Sequence, residues 1–230
     1  MTSPERPARP GIIARLNAAG GPPRPPRETL LLYVVGIACA FASTAAFFLH
    51  VFGVMRMPFF VNFIGMPAVI LMMIIGLYSW QRRLPFWLRL RAGIIAGFLG
   101  LIAYDAVRFA IYSSGLLAFY PFHALPRLGS LMTGEPPEAM AAIIAGWLYH
   151  IWNGFNFAII YALVAGPARW GWGVAWAMML EVGMLLSYPT FLAVKDDWAF
   201  RIVSMIGHIV YGTVLGLTVR RLARERAATL

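Results

Sequence analysis

The stretch Ala139–Ala165, AMAAIIAGWLYHIWNGFNFAIIYALVA, decides the fold class of this chain. It contains no acidic, lysine or arginine side chain, and it is longer than the about 20 residues a helix needs to cross the hydrocarbon core of a bilayer. Its one histidine, His150, lies near the middle. Ionisable groups are costly in hydrocarbon, so such a residue faces a bundle interior and marks a site.

The same reading extends outward in both directions. Apolar residues fill 60% of the 230 positions and charged residues only 12%, where a soluble domain carries about a quarter. Apolar runs predict spans over 30–54, 58–80, 92–114, 139–165, 171–194 and 198–219. These form one six-helix transmembrane domain, 29–221, of an all-α integral membrane protein. A basic loop at 81–91 and a longer aromatic and proline-rich connection at 115–138 join spans. The latter is expected to be an outer interfacial anchor, in part a short amphipathic helix, or else a lid over an outward-facing cavity. Residues 1–28, with the run Gly21-Pro22-Pro23-Arg24-Pro25-Pro26, read as a disordered basic tail rather than a cleaved signal peptide, and 222–230 as a second tail. Lys195-Asp196-Asp197 turns the chain into the last span.

Charge orients the bundle. The net charge is +10, but the basic residues sit at span ends and tails with no base-stacking module, so nucleic acid is rejected as a partner and anionic lipid accounts for them. Fourteen arginines fall in the N-terminal tail, in the 81–91 loop, at Arg169 and from Arg220 onward, against Arg56, Arg127 and Lys195 on the opposite side. Both termini are therefore expected to be cytoplasmic, in an inner or plasma membrane. The single cysteine, Cys39, rules out a disulfide framework and a cysteine-based zinc site.

This topology places Asp105, Arg108, His150, Glu181 and His208 at similar depth in the outer half of the bilayer. Asp105, Arg108 and Tyr112 share one helical face, readable as an internal Asp105–Arg108 ion pair or as an acid beside an anion anchor. Gly146, His150, Asn153 and Gly154 form a stripe flanked by Trp147 and Trp152, a packing seam or a polar pocket with aromatic walls. An isolated ionised Glu181 is untenable among Met178, Met179, Leu180 and Val182, so it is protonated or paired with His150, His208 or Arg108. Tyr188-Pro189 lies two turns outward on a similar face. His150-Ile151-Trp152-Asn153-Gly154 echoes His208-Ile209-Val210-Tyr211-Gly212, and the second is followed by a Gly212-x-x-x-Gly216 contact motif.

Three functions fit these residues. The first is an intramembrane enzyme acting on a lipid or isoprenoid-like substrate. Asp105 and Glu181 then serve as acid and base, and His150 and His208 as proton relays. Alternatively, His150, His208 and Glu181 hold one divalent metal. Arg108, Asn153, Tyr112, Tyr188 and Trp147 bind the substrate. The second is an electron carrier with haem b between His150 and His208. The third is a small permease, or an accessory subunit with a membrane-protein partner, using Asn62–Pro67 as a broken-helix element. The twelve methionines are scattered and read as gap-fillers rather than copper ligands.

Overall fold

The computed structural model describes residues 27–192 and 198–224. The tails outside 27–224 and the Lys195-Asp196-Asp197 turn lie outside the described residues. Among the described residues every regular element is a helix: α1 Arg27–Val51, α2 Met57–Gln81, α3 Pro85–Ser113, α4 Ala124–Thr133, α5 Met140–Ala165, α6 Gly171–Phe191 and α7 Trp198–Arg224. All but α4 are long and apolar enough to cross a membrane.

Three local features differ from the sequence reading. Helix α3 begins at Pro85 rather than near Ala92, because proline fits the first helical turn, where its missing N–H is not needed. Arg89 thus stands on a helix rather than in a loop. Its guanidinium lies over the Tyr33 ring and donates to the Leu163 carbonyl near the end of α5. The second difference is in α2, where Asn62–Pro67 does not break the helix. The backbone widens into a π-helical turn over Val61–Gly65, and the Met66 N–H reaches back to the Val61 carbonyl. Pro67 lacks an N–H and would clash with the carbonyl four residues earlier, and a wider turn absorbs that conflict. The third is at the join of α1 and α2, where His50 Nδ1 accepts the Met57 N–H at 3.1 Å and so serves the connection.

Glycines set how closely the helices approach. Helix α4 closes one end of the bundle and packs backbone to backbone on α5. A Cβ on Gly129 would land on the Ala142 carbonyl, and one on Gly146 on the Leu125 carbonyl. The 115–138 connection thus contains a short helix, and α4 is clamped against α5. Gly129→Val should cost about 3 kcal/mol or more, since overpacking against backbone has no side chain to give way. A thermal melt that matches wild type would refute the clamp. The Gly212 and Gly216 pair meets Gly173 and Trp170 in the same manner and draws α7 against α6.

Candidate functional site

The site lies toward the α4 end of the bundle and is built around a side chain that the sequence does not single out, Tyr104 of α3. Its ring is buried, 5.8 Å from the His150 ring and 5.0 Å from the His208 ring, so it packs against both imidazoles. A signal for it exists in the spacing. Tyr104 precedes Asp105 and lies one turn from Arg108, at the i, i+4 separation that places side chains together.

Each histidine has its own carboxylate. His150 Nε2 on α5 lies 3.0 and 3.3 Å from the two oxygens of Asp105 on α3. His208 Nδ1 on α7 lies 2.8 Å from Glu181 Oε2 on α6, and Ser204 Oγ donates to the same oxygen at 2.9 Å. His208 Nδ1 is also 3.0 Å from the Ser204 carbonyl oxygen, which can only accept, so Nδ1 carries a proton and Nε2 is left available. Glu181 is fully buried, and its Oε1 has no partner among the described residues. Of the three candidate partners for Glu181, the structure selects His208.

The sequence echo acquires a geometric meaning here. Helices α3 and α5 form one pair and α6 and α7 another, each with a carboxylate on its first helix and a histidine on its second. The acid and the imidazole meet across the seam between the helices of each pair, so the echoed histidines do the same job twice.

Arg108 is not the counter-ion of Asp105. Among the described residues Asp105 pairs with His150, whereas the Arg108 guanidinium turns toward the connection before α4. It donates to Tyr104 Oη at 3.1 Å and to the Pro121 carbonyl, and lies between the Tyr104 and Phe122 rings at 4.9 and 4.8 Å. Its Nε–H is buried without a partner.

A cavity of about 200 Å³ opens beside these pairs, lined by Thr44, Tyr104, Tyr149, His150, Asn153 and Tyr188 together with apolar side chains. Thr44 Oγ1 and Asn153 Oδ1 are buried there without hydrogen-bond partners. Trp147 packs edge-on against the His150 ring and braces it. Tyr112 is not brought to the site: it is 37% exposed and packs on Tyr120.

The pairing bears on the two cofactor readings. His150, His208 and Glu181 do not gather as a ligand set. Among the described residues no group of three or more His, Cys, Asp or Glu side chains is close enough to share a metal ion. Haem b fits poorly for a related reason. The Tyr104 ring packs against both imidazoles, and His150 Nε2 is engaged by Asp105.

A family model described as a family of unknown function, DUF6789, matches residues 88–229. The chain belongs to that family. The matched segment contains both carboxylate–imidazole pairs, Tyr104, Arg108 and Tyr188, while α1 and α2 lie outside it. No curated protein and no solved structure matches the chain.

Proposed function

We propose that this member of a family without an assigned function is an intramembrane acid–base enzyme acting on a hydrophobic, lipid or isoprenoid-like substrate. The observation that carries the reading is the two carboxylate–imidazole couples whose histidines both pack on Tyr104 beside a mostly apolar cavity. An imidazole held by a carboxylate is oriented, and its cationic form is stabilised. It can therefore accept a proton at its other nitrogen and later return it. Two such couples can remove a proton at one position of a substrate and deliver one at another. That is an isomerisation, neutral in protons and electrons, and it needs no oxidant or co-substrate.

His150 with Asp105 and His208 with Glu181 are the two proton-transfer units of this proposal. Asn153, Thr44 and Tyr188 form part of the wall. The six apolar helices and the asymmetry of the arginines favour a cell-membrane protein with both termini cytoplasmic, which puts the site in the outer half of the bilayer.

Solvent isotope tests this directly. The protein is placed in nanodiscs of a total lipid extract in D₂O, and the extracted lipids are weighed by mass spectrometry. One lipid class should gain deuterium with wild type and fail to do so with His150→Ala. An absence of label in every class would sink the reading.

A further inference from the structure

The guanidinium of Arg108 is the buried cation for which the proton-transfer units give no account. Arg108 is 6% exposed, and among the described residues it forms no ion pair. Asp105 and Glu181 each face a histidine instead of the guanidinium. A buried charge without a counter-ion is costly. Two aromatic faces and two neutral acceptors offset part of this, but the Nε–H stays unpartnered.

Arg108 also borders an opening. A second cavity of about 40 Å³ is lined by Arg108, Pro121, Phe122, His150 and Tyr188, among others. It shares Tyr104, Leu125, His150, Met184 and Tyr188 with the larger cavity, so the two meet along one wall. The smaller cavity exceeds what a single water requires, so it admits a small polar group. A group seated there would be followed by a chain running past His150 into the larger apolar cavity.

We propose that Arg108 and the small cavity beside it form a headgroup subsite for the carboxylate of a long-chain acid whose chain occupies the larger cavity. The inference deepens the enzyme reading and rests on it in taking the larger cavity as the substrate's place. A carboxylate seated there would pair with the Arg108 guanidinium, which among the described residues meets only neutral acceptors and ring faces. Charge-assisted hydrogen bonds of this type are strong, and guanidinium suits carboxylate geometry.

Native mass spectrometry of the full chain, released from detergent after equilibration with palmitate, tests the subsite without any assay of turnover. Palmitate should be retained, and methyl palmitate, matched in length and uncharged, should be retained on the order of ten- to a hundredfold less. Arg108→Gln should remove this preference for the acid, while Arg108→Lys, which keeps the charge, should preserve most of it. Equal retention of acid and ester by wild type would overturn the proposal, and that comparison needs no variant to fold. Tighter retention of hexadecyl phosphate than of palmitate would overturn the choice of carboxylate. Displacement of palmitate by millimolar acetate would overturn the long-chain ligand and leave a small-anion site. Discrimination between acid and ester without deuterium exchange in any lipid would retain the subsite and reject the enzyme. Exchange without discrimination would do the reverse.

Discussion

Glu181→Leu is expected to destabilise the folded protein by about 3–5 kcal/mol, the range for breaking a buried ion pair by removing one partner. The carboxylate is fully buried, and through Oε2 it receives His208 Nδ1–H and Ser204 Oγ–H together. Leucine fills similar space but accepts neither. A protonated His208 would then be left as a buried cation, with only the Ser204 carbonyl as acceptor. The size of the loss therefore reports the state of the couple. If the proton resides on the carboxyl group, His208 is neutral already, and the cost falls to that of an unsatisfied neutral donor, about 1–3 kcal/mol. Unfolding free energies in mixed detergent measure it, and a loss near zero would show that the contact contributes nothing. Glu181→Gln keeps an acceptor oxygen for both donors and should remain folded. Its amide cannot take up a proton, so isotope exchange should fall by about 10²–10⁴.

The helices are legible in the sequence because bilayer-length apolar runs are a strong signal that needs no tertiary information. Pro85 and Pro67 show where that signal weakens. A run of hydrophobicity cannot tell a proline that starts a helix from one that ends it, nor a broken helix from a π-helical turn. The site is legible as a set of residue types at one depth, and not as a set of partners. Helical periodicity gives the face of a residue on its own helix. It says nothing about which neighbour that face meets, so it offers Asp105 the nearby Arg108, three residues away, instead of His150 on α5.

Tyr104 illustrates a second limit. Tyrosine is an ordinary residue in an apolar span, and only its contact with two imidazoles makes it central. The clamp of α4 on α5 is hidden for a similar reason. Gly129 and Gly146 lie in different elements, and their meaning appears only when the two backbones touch.

The Asp105–His150 couple carries the largest expected effect on activity. His150→Ala should lower isotope exchange by about 10²–10⁴, the usual contribution of a positioned acid–base group. Asp105→Asn should come close to that loss although it changes only one atom of the side chain. An amide in that position cannot stabilise the imidazolium, and if its NH₂ turns toward Nε2 it forces the other tautomer on the ring. Residues that act as a unit are strongly non-additive, so the double variant should be no slower than His150→Ala alone. Additive losses would mean that Asp105 acts on the substrate independently of His150, and the couple would then be two separate groups. The stability of the same variants supplies the control. Both side chains are partly exposed, 14% for His150 and 28% for Asp105, against full burial of Glu181, so neither is left as deeply buried when its partner is lost. The stability cost should accordingly stay below that of Glu181→Leu. A variant that loses exchange while keeping wild-type unfolding would separate chemistry from folding at this couple, a separation that full burial of Glu181 does not permit for the other.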